Sequence, residues 1–121
     1  MLIVDINDCE EFTGGDRTKI REILNPLKEK LDLRYSLAHA MLKEGEKALP
    51  HRLKTSEVYY IIQGSGTMHI NDEQREVSEK QAVYIPPNSV QYIENTGDDE
   101  LLFLCIVDPA WREEDEEVYK V

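Results

Sequence analysis

The stretch from Gly45 to Gly64 constrains the fold more than any other part of the chain, because it is punctuated as a strand, a bend and a second strand. Gly45 and Pro50 break regularity on the way in. Val58, Tyr59, Tyr60, Ile61 and Ile62 then form a β-branched and aromatic run that Gly64 ends. Alternate side chains of a strand share a face, so Glu57, Tyr59 and Ile61 point one way and Val58, Tyr60 and Ile62 the other. An acid therefore opens an otherwise apolar face. A carboxylate buried there requires a cation, a hydrogen-bond donor or a proton, because an unpaired charge in a dry site is too costly to keep.

The spacing around His51 and Glu57 resembles the first motif of the cupin family, which runs Gly, five residues, His, one residue, His, three or four residues, Glu, six residues, Gly. Gly45, His51, Glu57 and Gly64 fall in place, with Leu53 where the second histidine belongs. The second motif runs Gly, five residues, Pro, one residue, Gly, two residues, His, three residues, Asn. Pro86 and Asn95 match it, while Lys80, Asn88 and Gln91 stand for its two glycines and its histidine. The chain is accordingly similar to a small single-domain cupin with an incomplete metal-ligand motif. The resemblance implies an all-β fold, a double-stranded β-helix or jelly-roll barrel of roughly eight or more short strands, with extra N-terminal strands.

The 121 residues suit one domain, read as an N-terminal arm over 1–33, a barrel over 34–108 and an acidic tail over 109–121. Leu2 to Ile6 opens as a short strand candidate. Between Thr18 and Leu31 the apolar residues have helical spacing, yet Asn25-Pro26 interrupts them, and the resemblance favours a strand before Pro26. Arg34 to Leu42 alternates, with Tyr35, Leu37, His39 and Met41 on one face and Ser36, Ala38, Ala40 and Leu42 on the other; either face can be the inner one. Further strands are expected near Gln74 to Val77, Ala82 to Ile85 and Val90 to Glu94. Leu101 to Val107 is apolar at every position, so both of its faces need cover. The barrel interior covers one; the other needs the N-terminal strands or a second subunit, hence an expected homodimer.

With 14 basic against 25 acidic residues the formal charge is −11, which argues against nucleic acid or an anionic membrane as partner. The acidic run Glu113 to Glu117 reads as a solvated tail. Two cysteines are too few for a disulfide framework, and Cys105 reads as a small buried hydrophobe. Met-Leu-Ile-Val-Asp lacks the basic region of a signal peptide, and a cytoplasmic location is the expectation.

As the family's ligands, His51 and Glu57 would hold a divalent metal, Fe, Mn, Ni or Zn, with Gln91 offering an amide oxygen. A further imidazole would have to come from His39, since His69 alternates out of phase with Gly66, Met68 and Ile70. The same residues read equally as hydrogen-bonding groups of a metal-free pocket. Tyr59, Tyr84 and Tyr92 are candidates for lining the cavity or for packing between subunits. Two functions follow: a metal-binding cupin or enzyme acting on a small polar metabolite, and a metal-free barrel that binds a sugar or carboxylate. Fold alone does not choose a reaction.

Overall fold

The strand-forming runs build the whole architecture. The computed structural model describes residues 1–120, among which there is no α-helix. Eleven strands form in chain order: β1 (Glu11–Thr13), β2 (Lys19–Leu24), β3 (Ser36–Leu42), β4 (His51–Leu53), β5 (Ser56–Gln63), β6 (Ser65–Ile70), β7 (Glu73–Ser78), β8 (Ala82–Ile85), β9 (Val90–Glu94), β10 (Leu101–Asp108) and β11 (Glu116–Val118). They make a six-stranded sheet, β1-β2-β3-β10-β5-β8, and a five-stranded sheet, β11-β4-β9-β6-β7. The fold is the expected all-β jelly-roll barrel.

Register decides what fills the space between the sheets. Leu101 pairs with Leu42 and Val107 with Ser36 across β10 and β3, while Phe103 pairs with Ile61 and Val107 with Glu57 across β10 and β5. Each inner face thus runs from apolar at one end to polar at the other. Leu42, Ile61, Ile85, Ile93, Leu101 and Phe103 are all buried and pack as the core. Ser36, His51, Glu57 and Gln91 collect at the opposite end. On β3 the inner face is Ser36, Ala38, Ala40 and Leu42, which places His39 outside.

The glycines of the first motif have a backbone reason. Gly45 and Gly64 sit at φ +80° and +87°, and a side chain at Gly64 would meet the Glu100 carbonyl oxygen at 2.6 Å. At the two positions where glycine has been replaced, Lys80 and Asn88 keep the left-handed backbone, with φ 72° and 67°.

Three local expectations are corrected. Leu2 to Ile6 forms no strand; the chain makes a single 3₁₀ turn at Ile6–Asp8, whose leading Asp5 accepts from the Asn7 amide. The acidic run is not simply solvated, because Glu116–Val118 pairs with β4 and Asp115 is buried against Arg112. The N-terminal strands do not cover the outer face of β10. They extend the sheet sideways beyond β3, leaving Leu102, Leu104 and Ile106 half-buried. Before Pro26 the chain is indeed a strand, and Asn25 ends it by accepting from the Leu27 amide while donating to Glu22 and to the Trp111 carbonyl.

Candidate functional site

The polar end of the barrel encloses a cavity of about 160 Å³. Its walls come from three parts of the chain: β1, β2 and the turn joining them, the inner faces of β3, β4, β5 and β10, and the returning segment at Trp111 and Glu116. Arm, barrel and tail build one site together.

His51 lines it, and only 3% of its surface is exposed. Its Nδ1 lies 2.9 Å from the Leu49 carbonyl oxygen, which can only accept, so Nδ1 carries a proton. In the neutral ring Nε2 is then an acceptor, and it has no hydrogen-bond partner among the described residues. Asp16 Oδ2 stands 3.7 Å from Nδ1. Asp16 is held by the arm: its Oδ1 accepts from the Thr18 amide at 3.1 Å and from the Thr18 hydroxyl at 2.7 Å, and its carbonyl accepts from the Leu49 amide at 2.8 Å. The turn is thereby tied to the strand entry that carries His51.

Glu57 is buried beside them. Gln91 Nε2 donates to Glu57 Oε1 at 3.0 Å, and Gln91 Oε1 accepts from the Tyr59 hydroxyl at 3.0 Å. Burial pushes the Glu57 carboxyl up to about 7, against the lowering influence of His51 and of the Gln91 hydrogen bond, with Asp16 and Glu116 adding to the rise. Since Oε1 already receives an N–H, the proton belongs on Oε2. Burial, followed by the negative charge of Glu57, also drives the Tyr59 hydroxyl well upward. The Cys105 thiol faces the same cavity and is raised by burial, then by Glu57 and Asp16.

The structure thus brings His51, Glu57, Gln91 and Tyr59 together and leaves the other candidates outside. His39 lies on the outer face with Arg21 and Leu104, its pKa lowered by burial and then by the Arg21 charge. Tyr84 is exposed and pairs with Val58 on the outer face of β5. Tyr92 stacks on His69 outside the five-stranded sheet, ring centroids 4.0 Å apart. Both point away from the cavity because the strand period carries them there. Sequence reading missed Asp16, and it placed Glu116 in a solvated run. Gly14-Gly15-Asp16 signals a turn but not what that turn covers.

A divalent metal does not fit these residues. The position of the second histidine is Leu53, buried and lining the cavity. Gln91 uses both ends of its amide on Glu57 and Tyr59. Among the described residues no three His, Cys, Asp or Glu side chains converge to hold an ion. One imidazole nitrogen, a Glu57 carboxyl whose pKa burial raises to about 7 and an Asp16 carboxylate whose Oδ1 is already held by Thr18 make a poor donor set, since ligating carboxylates must be ionised and free to turn to the ion.

Two antiparallel sheets around a polar-ended cavity define a small jelly-roll barrel. The cupin domain pattern matches residues 38–107, more than half of the chain, and the chain belongs to the cupin family. It is 40% identical over 119 residues to an uncharacterized protein of Methanocaldococcus jannaschii, covering 98% of this chain and 94% of that one. Among solved structures it resembles a predicted oxalate decarboxylase of Thermotoga maritima, with a TM-score of 0.77 and 21% identity over 89% of this chain and 99% of the other. It also resembles a Streptomyces PAC13 variant with uridine, with a TM-score of 0.78 and 16% identity over 99% and 91% of the two chains. At these identities the likeness is one of fold.

Proposed function

We propose that the protein is a small-molecule-binding cupin whose site works through hydrogen bonds and proton transfer rather than through a bound metal. The observation that carries this reading is the chain Tyr59–Gln91–Glu57, in which the residue at the family's last histidine position is fully engaged with protein partners. Asp16, His51 and Glu57 are the groups left to meet a ligand. Glu57, with its pKa near 7 and its second oxygen free of protein partners, is the one suited to give or take a proton near neutral pH. A barrel of the same fold, the PAC13 variant, carries uridine, a small organic molecule. Metal analysis of protein purified without a histidine tag tests the proposal. Wild type is expected to hold no stoichiometric Fe, Mn, Ni or Zn, whereas Leu53→His with Gln91→His should bind Zn or Ni, because both positions line up with His51. One metal per wild-type chain would overturn it.

We also infer a homodimer formed through the outer face of the six-stranded sheet. Val58, Tyr60 and Ile62 of β5 lie there beside Leu102, Leu104 and Ile106 of β10, with Tyr84 of β8 next to them. A continuous apolar patch across three neighbouring strands is what a second copy would cover by two-fold pairing.

A further inference from the structure

The cavity is walled by groups of one electrical kind. Asp16, Glu22, Glu57 and Glu116 line it, and among the described residues no lysine or arginine does. Glu22 is partly answered from outside by Lys28, whose Nζ is 2.8 Å from Glu22 Oε1, and Glu116 accepts from the Trp111 indole N–H at 2.8 Å. Asp16 and Glu57 have no lysine or arginine partner of their own. His51, the single imidazole in the wall, turns its protonated Nδ1 to the Leu49 carbonyl and leaves Nε2, an acceptor in the neutral ring, without a partner in a residue 97% removed from solvent by its 3% exposure. Of the hydroxyls in the wall, Thr18 donates to Asp16 and Tyr59 to Gln91, while those of Ser36 and Thr13 accept from the Trp111 amide and from Lys19. Above about pH 7, where Glu57 is ionised, four carboxylates and the His51 Nε2 therefore outnumber the donors of the wall. Much of the rest of the wall is apolar, and Phe12, Tyr59, Phe103 and Trp111 contribute aromatic faces to it. Such faces attract cations, as Lys28 Nζ shows by lying 5.6 Å from the centroid of the Trp111 ring.

From this complementarity we propose that the cavity selects a small organic cation, a primary amine with a short apolar or aromatic body, its ammonium placed among Asp16, His51 and Glu57. The inference rests on the metal-free reading above and narrows it. It excludes the carboxylate ligand that the sequence left open, because an anion would enter a site lined by four acids with no cation to receive it. An ammonium supplies three donors where the protein presents unpaired acceptors.

Matched ligand series test this. The full chain is titrated calorimetrically at about pH 8 with butylamine, butyrate and butanol, and with benzylamine, benzoate and benzyl alcohol, in low and in physiological salt. Within each series the amine is expected to bind at least about tenfold more tightly than the other two. Added salt should weaken it little, as befits a buried site rather than attraction to the acidic surface. Asp16→Asn and Glu57→Gln, each checked for fold by circular dichroism, should each weaken the amine by a further factor of about ten while leaving the alcohol unchanged. Alcohols binding as tightly as amines would sink the cation proposal and leave the metal-free site standing. A carboxylate that binds best, or amines that do not bind at all, would likewise overturn it. Binding of any of the six that needs added metal would instead sink the underlying reading.

Discussion

Glu57 keeps an acid inside the barrel by holding its proton up to about pH 7. Its folded pKa of about 7 lies above its ordinary 4.5, so between those values the native protein holds a proton that the unfolded chain has released. Stability therefore falls as pH rises through this window and levels off above about 7. The gap corresponds to about 3 kcal/mol. Glu57→Gln removes the titration while keeping the Gln91 partner in reach. Urea unfolding at the two ends of the window should show wild type losing about 3 kcal/mol more than the variant on going from acid to neutral pH. Equal pH dependence in both proteins would show that the carboxyl is ionised throughout. The same residue explains why Gln91 is more than a failed ligand. It hands one hydrogen bond to the acid and takes one from Tyr59, so that neither buried group is left bare.

At the level of the turns, Lys80 and Asn88 show what replacing a family glycine costs. Lys80 holds φ 72° at the turn between β7 and β8, where its amide donates to the Ile61 carbonyl at 3.0 Å. A non-glycine residue in this region carries about 1–3 kcal/mol of backbone strain. Glycine at the same place relieves it but gives the unfolded chain more freedom, which offsets about 0.4–1 kcal/mol. Lys80→Gly is therefore expected to stabilise the fold by about 1 kcal/mol and raise Tm by several degrees. A lower Tm would mean that the lysine side chain contributes more than the backbone strain removes.

Across the whole molecule, the open flank of the six-stranded sheet is the feature that a single copy leaves unfinished. Tyr60, Ile62 and Tyr84 are 40%, 42% and 62% exposed around the half-buried apolar face of β10. Light scattering at micromolar concentration should give twice the chain mass. Tyr60→Glu with Ile62→Glu should give one chain mass with an unchanged circular dichroism spectrum, because acids would then oppose acids across a two-fold axis in a protein already at −11. A monomeric wild type would refute the dimer.

The barrel itself was legible in the residues. Alternation in Ser56–Gln63 and the motif glycines are local signals, written within a few residues and fixed by the period of a strand and the φ a turn demands. His51, Glu57 and Gln91 were singled out by the resemblance to the family motif, and the pairing of β4, β5 and β9 with their neighbours brings them together. What no local pattern contained was which face of Ser36–Leu42 turns inward, because both faces offered apolar residues and only pairing with β10 and β2 decides between them. That choice put His39 outside. Nor did sequence show that Asp16 and Glu116, far from His51 along the chain, would be folded against it. A turn and an acidic run look alike whether solvent or a cavity lies beneath them. Only the closure of the two sheets, which brings both ends of the chain over the polar end of the barrel, turned those acids into walls of a site.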